Sequence, residues 1–298
     1  MTTLPWWKIW IIAARPKTLG AAWVPVLVGT AAASTLAAEW NGLVLGCALG
    51  SSLMIQVATN LFNDAIDFKK GADTAARLGP TRVTASGMIS PGTVFVAAWI
   101  CLAIAFLLGV PLVLRGGTPI LMLGVVSLFL AYGYTGGPFP LAYLGLGDAF
   151  VFLFFGLIAV GGTYFLHALA IEPFGAVLLG GSQVGLWATA LIAINNFRDS
   201  AEDLRNNKMT LAARFGARFS RIEISVLVLL PFALGIAFWP AYGYMAAGML
   251  PLLALPLGFR LVGRIWSWEP SPAYNGLLAL AGAIHALAGV LLAAGLLW

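Results

Sequence analysis

Charge is what this chain has least of: Asp, Glu, Lys and Arg together make up only 9% of its 298 residues. A soluble domain carries about a quarter charged residues, so an ordinary water-facing surface is excluded. Cysteine is nearly absent, and Cys47 and Cys101 both fall inside apolar runs. That placement excludes a disulfide framework and a zinc site, leaving two small buried hydrophobes. Histidine is equally scarce. His167 and His285 stand alone near or within apolar segments and read as packed, hydrogen-bonded side chains. Low-complexity stretches and polar linkers are missing too, so a single transmembrane domain over residues 1–298 is expected. The net charge of +5 does not point to nucleic acid, because the basic residues lie between apolar spans.

What fills the chain is hydrophobic, 61% of residues, with a mean hydropathy of +0.95. The apolar stretches are long and nearly uncharged, which favours helices over the weak alternation of a membrane barrel. The expected fold is an all-α integral membrane bundle of about nine transmembrane helices in a lipid bilayer. They fall near 18–38, 43–63, 93–114, 119–135, 148–168, 174–196, 222–240, 243–262 and 275–297. Ahead of them, Trp6, Trp7, Lys8, Trp10, Arg15 and Lys17 lack the pattern of a cleaved signal, so residues 1–17 read as an interfacial segment. With the N-terminus cytoplasmic, all of the 16 Lys and Arg residues except Arg115 fall on the inside. So lopsided a split is the positive-inside pattern, and it supports an odd number of spans.

Against this background two polar clusters stand out. Asn60, Asn63, Asp64 and Asp67, at i, i+3, i+4 and i+7, share one helix face at the end of the second span. At the end of the sixth, Asn195, Asp199 and Asp203 recur every four residues, with Glu202 beside them. Four spans separate the clusters, so both face the same side. Each lies at the C-terminal end of its helix, where the macrodipole is negative and carboxylates are disfavoured. Charges within spans cost a further ~2.5–3.5 kcal/mol each on insertion scales. Acids held against both penalties need a partner charge. Oxygen-only ligands with no His or Cys nearby select a hard cation, and Mg²⁺ is the usual companion of phosphate groups. Arg15 and Lys17 before the first span, and the basic residues following each cluster, would then hold phosphate oxygens. Singly, such acids and bases are also what a solvated membrane face carries. Two matched clusters on one side favour a divalent cation holding a diphosphate.

At these residues the chain resembles the UbiA superfamily of intramembrane aromatic prenyltransferases. Members carry Asn-Asp-x-x-Asp and Asp-x-x-x-Asp motifs on a nine-helix bundle; here these are Asn63-Asp64-Ala-Ile-Asp67 and Asp199-Ser-Ala-Glu-Asp203. A common form of the first motif has another Asp four residues after the second, a position occupied here by Gly71. The next acid is Asp73, followed by Arg77, Gly79-Pro80 and Arg82. This displaced form is similar to the 1,4-dihydroxy-2-naphthoate branch, the menaquinone and phylloquinone enzymes. Arg15-Pro16-Lys17-Thr18, the 134–141 stretch, Gly145-Leu146-Gly147-Asp148 and Lys208-Met209-Thr210-Leu211-Ala212 fit the same branch, so the likeness spans residues 15 to 216. Read from the residues alone, the Gly-rich 133–147 stretch is a turn region or a rim of the site.

The resemblance implies transfer of a prenyl group from a polyprenyl diphosphate to an aromatic acid, 1,4-dihydroxy-2-naphthoate, with loss of carbon dioxide. Mg²⁺ held by Asp64, Asp67, Asp199 and Asp203, with Asp73 as a further candidate, would draw charge from the leaving diphosphate. Asn63 would ligate or orient, while Lys17, Arg82, Arg198 and Lys208 are the candidates for phosphate oxygens. A bacterial plasma membrane or a thylakoid is the expected location. Homogentisate or 4-hydroxybenzoate as acceptor is the alternative within the enzyme class. An ion transporter is the alternative outside it, but its charges belong near mid-membrane, whereas these lie at one face.

Overall fold

The computed structural model describes residues 4–71, 78–137 and 140–298. Among these residues the structure is helical, without strands. Helix α1 (Trp6–Ala14) ends where Arg15 takes a left-handed backbone, and the chain bends by 53° into α2 (Gly20–Leu36). Trp6 and Trp7 on α1 are exposed, as an interfacial segment requires.

Helix α3 (Gly42–Lys69) opens on Asn41, whose side chain accepts the Val44 N–H at 3.1 Å. Its 28 residues reach about 42 Å at 1.5 Å per residue, well beyond the ~30 Å hydrocarbon core. The acidic face is therefore helical and projects past the apolar span. Helix α4 (Pro91–Gly133) is nominally 43 residues long, but it leaves helical geometry at Gly117 (φ 66°, ψ −152°). The two arms fold back on each other: Phe95 and Trp99 near its start meet Tyr132 near its end, with ring centroids 6.4 and 6.2 Å apart. These arms are the third and fourth expected spans.

Helices α5 (Gly147–Ala168), α6 (Phe174–Arg205), α7 (Leu211–Tyr242), α8 (Met245–Ser267) and α9 (Tyr274–Leu297) complete the bundle. With α4 counted as two, nine spans lie among the described residues, as expected. Helix α6 is the central stave: 78% of its apolar stretch is buried, against 22% in α4. It too overruns its expected span, ending at Arg205, and so carries the second acidic cluster as continuous helix.

In lipid the apolar effect gives little drive for helix association, so close backbone approach must do the packing. The contact of α5 with α6 shows this. A Cβ on Gly156 would lie 2.5 Å from the Gly185 Cα and 2.6 Å from the Gly181 carbonyl oxygen. At the far end of the bundle Arg115 caps α5, donating to the Leu166 and His167 carbonyls at 2.5 and 2.8 Å. His167 is bonded as expected: it accepts the Asn41 N–H at 3.1 Å and lies 3.0 Å from the Thr30 hydroxyl. His285 departs from expectation. It is fully buried near Gly20, but among the described residues neither ring nitrogen has a hydrogen-bond partner.

Gly156→Ala is expected to cost about 1–3 kcal/mol by overpacking, while Gly124→Ala, with nothing within 4 Å of the added methyl, should be neutral. Thermal unfolding of both variants in detergent checks the pair; equal midpoints would refute the close-contact account.

Candidate active site

Both acidic faces line one cavity. Asn60, Asn63 and Asp67 reach it from α3, and Asn195, Asp199 and Asp203 from α6. Its volume of about 230 Å³ far exceeds the roughly 10–15 Å³ that a single water needs, so it is more than a hydration site. The α6 lining runs from Asp203 to Ala188, about 22 Å at 1.5 Å per residue. Polarity changes along that length. Arg15, Arg82 and Lys208 stand at the acidic end, whereas Val151, Phe155, Ala188 and Leu191 form the deeper wall.

Three of the cavity acids, Asp67, Asp199 and Asp203, are each held against a base. Arg82 Nη2 lies 3.3 Å from Asp67 Oδ2, and the Tyr143 hydroxyl donates to Asp67 Oδ1 at 3.1 Å. Lys208 Nζ is 3.1 Å from Asp203 Oδ1. Arg198 grips Asp199 bidentately, Nε to Oδ1 at 2.7 Å and Nη2 to Oδ2 at 2.6 Å. That geometry is the strong, orienting form of a carboxylate pair.

Arg198 was expected to face phosphate, but its guanidinium is spent within the protein and does not line the cavity. It also donates to Asn195 Oδ1 at 2.8 Å and to Asn275 Oδ1 at 2.7 Å. Asn275, from the start of α9, in turn donates to the Leu78 carbonyl at 2.9 Å. One amide thus ties the second acidic cluster to the loop that follows the first.

Asp64 is likewise turned from the cavity. Its Oδ2 accepts the Val83 N–H at 3.2 Å, and its Oδ1 accepts the Thr84 N–H at 3.2 Å and the Thr84 hydroxyl. These bonds pin residues 82–84 and bring Arg82 onto Asp67. Lys17 is exposed and outside the lining, while Arg15, two residues earlier, lines the cavity and donates to Asn63 Oδ1 at 3.2 Å. Asp73 and Arg77 lie outside the described residues.

The 133–147 stretch supplies more than a turn. Tyr134, Tyr143 and, just beyond, Asp148 line the cavity. Tyr134 brings a phenol, a hydrogen-bond donor, to the lining. The signal for these residues in the sequence is two tyrosines and an acid set among glycines.

Among the described residues no three Asp, Glu, His or Cys side chains converge into a preformed metal cage. The donor set nevertheless fits Mg²⁺, which is commonly held by one or two carboxylates and completed by substrate phosphates and water. Fold and site together define a membrane-embedded helical bundle whose pocket has a charged end and an apolar wall.

The chain belongs to the UbiA prenyltransferase family, whose model matches residues 22–274. It is 33% identical over 297 residues to the 1,4-dihydroxy-2-naphthoate octaprenyltransferase of Haemophilus influenzae, covering 97% of this chain and 96% of that one. To the enzyme of the same description from Mycobacterium leprae it is 34% identical over 292 residues, covering 96% and 97%. A UbiA homologue from Archaeoglobus fulgidus, solved bound to GPP and Mg²⁺, matches with a TM-score of 0.64 at 15% identity, over 97% of this chain and 99% of that one. At that identity the likeness is one of fold.

Asp64→Ala should release the 82–84 segment. Limited proteolysis is expected to cut within residues 78–90 roughly tenfold faster, in line with the loss of bonds to a buried carboxylate, while Asp67→Asn leaves that rate near wild type. Equal protection of both variants would show that Asp64 is not the latch.

Proposed function

We propose that the protein transfers a prenyl group from a polyprenyl diphosphate to 1,4-dihydroxy-2-naphthoate with decarboxylation, giving a demethylmenaquinone-type product. The observation that carries this reading is the cavity's polarity: acids and bases at one end, hydrocarbon at the other. Kinship with naphthoate octaprenyltransferases along nearly the whole chain supports the naphthoate over homogentisate or 4-hydroxybenzoate. A bacterial plasma membrane is the proposed setting.

The chain's residues divide the work. Asp67, Asp199 and Asp203 line the cavity and would hold Mg²⁺, whose chemistry when bound is to neutralise charge on the leaving diphosphate. Asn63 orients alongside Asp67. Arg198 fixes the Asp199 carboxylate, and Asp64 fixes the loop that delivers Arg82. Arg15, Arg82 and Lys208 line the cavity and would meet phosphate oxygens. The apolar wall at Val151, Phe155 and Leu191 takes the first prenyl units and keeps water from the allylic centre as it becomes cationic.

Purified protein in lipid, given a prenyl diphosphate, Mg²⁺ and all three aromatic acids in competition, should yield chiefly the prenylated naphthalenediol, lighter by carbon dioxide, by mass spectrometry. Preferential prenylation of another acid would overturn the acceptor. EDTA is expected to abolish turnover and Mg²⁺ to restore it, and product formed in chelator would refute metal dependence. Asp67→Asn and Asp199→Asn should each lower turnover by at least about a hundredfold with the protein still folded, as expected when groups acting on transition-state charge are lost; near-normal product formation would refute their roles.

A further inference from the structure

One carboxylate in the cavity does not belong to the diphosphate end. Asp148 is 5% exposed, lines the cavity, and has an enclosed Oδ1 without a hydrogen-bond partner. Its Oδ2 has only a long contact, 3.5 Å from the Asn196 amide that donates to it. Leaving a buried acceptor unsatisfied is costly, so such an oxygen is expected where a ligand brings the donor. Asp67, Asp199 and Asp203 are each paired with a Lys or Arg. Among the described residues Asp148 is not.

Helix polarity explains the difference. Asp148 sits in the first turn of α5, at the positive end of the dipole, where a carboxylate is favoured. The other three lie toward the C-terminal ends of α3 and α6, where it is disfavoured. Among the described residues Asp148 thus forms no direct ion pair, and its place in the first turn favours the carboxylate there.

Its depth decides what it meets. Asn196, its contact on α6, lies about one turn deeper than Asp199, and Val151 and Phe155 continue along α5 as apolar wall. Asp148 stands at the boundary where a prenyl diphosphate changes from phosphate to hydrocarbon. The acceptor ring must meet the first prenyl carbon at that level. Tyr134 stands beside it, its hydroxyl filling the space that a Cβ on Gly147 would take, 2.9 Å away. A carboxylate here repels diphosphate and an acceptor's own carboxylate, and attracts a hydroxyl.

We propose that Asp148 reads the acceptor: its Oδ1 accepts a hydrogen bond from a ring hydroxyl of the aromatic substrate. The proposal rests on the prenyl-transfer reading and deepens it. As the donor's C–O bond breaks, its electron pair leaves with the diphosphate. The ring carbon bearing the carboxylate supplies the pair for the new C–C bond, and the pair of the ring–carboxylate bond returns to the ring as carbon dioxide departs. The O–H···O⁻ contact raises the ring's electron density while the C–C bond forms, and the hydroxyl proton is retained.

The test compares wild type, Asp148→Asn and Asp148→Glu with 1,4-dihydroxy-2-naphthoate and the 1-hydroxy and 4-hydroxy analogues. Calorimetric binding of an unreactive prenyl thiolodiphosphate and of the naphthoate accompanies the kinetics. For Asp148→Asn, kcat/KM for the dihydroxy acid is expected to fall about 10- to 100-fold, as for loss of a charged hydrogen bond, with partial recovery in Asp148→Glu. Donor KM and thiolodiphosphate affinity should stay within about twofold, on the scale of surface effects. The analogue lacking the contacted hydroxyl should be used equally by wild type and variant. An unchanged kcat/KM, or an equal fall for every acceptor with donor binding weakened alike, would overturn the proposal. Should wild type prenylate no aromatic acid, the reaction itself is refuted. Naphthoate binding then judges Asp148 alone, and equal affinity in wild type and Asp148→Asn overturns it.

Discussion

Carboxylates at the C-terminal ends of two helices, at the edge of a bilayer, face a double penalty: the negative end of the macrodipole and the loss of water. Much of the site's construction answers that penalty. Helices α3 and α6 are longer than the hydrocarbon core is thick, so their final turns emerge as helix and keep Asp67, Asp199 and Asp203 on faces that meet. Each acid then receives a base from a different source. Arg82 comes from a loop held by Asp64, Lys208 from the turn after α6, and Arg198 from the helix itself. Asn275 on α9 joins two of these sources, which couples the far end of the chain to the site.

The helices and the pairing of the clusters were legible because periodicity and parity are properties of the chain alone. Asn63, Asp67, Asp199 and Asp203 meet where four intervening spans require. Less was legible where a side chain's partner is distant or competes with the substrate. Nothing local to Asp64 announces Thr84, twenty positions on, so the sequence does not show that this motif acid also bonds the 83–84 backbone. Arg198 reads as a phosphate binder by its charge, but it is next to Asp199 in sequence and turns back on it. Arg15 and Lys17 look equivalent in the sequence. The left-handed turn at Arg15 sends one inward and leaves the other exposed. The Gly-rich stretch hid Tyr143 and Tyr134, because turn chemistry masks what the turn presents.

The ion pairs also bear on how a highly charged substrate enters such a place. Burying new charge is costly, whereas exchanging partners is much less so. Asp67 and Asp203 already hold cationic groups, and Arg82 and Lys208 already hold anionic ones. A diphosphate arriving with its counter-ions would let each carboxylate trade a side-chain cation for a metal ion, and each base trade a carboxylate for phosphate. Charge is then conserved within the site while its partners change. Asp199 is the exception, since the bidentate grip of Arg198 is made from behind, with the guanidinium itself buried at 1% exposure. Its orientation would survive such an exchange, and a carboxylate gripped on one side keeps lone pairs for the other. One fixed acid would then anchor the site while the other pairs exchange partners, so that a preformed pocket could accept charge without first losing its shape.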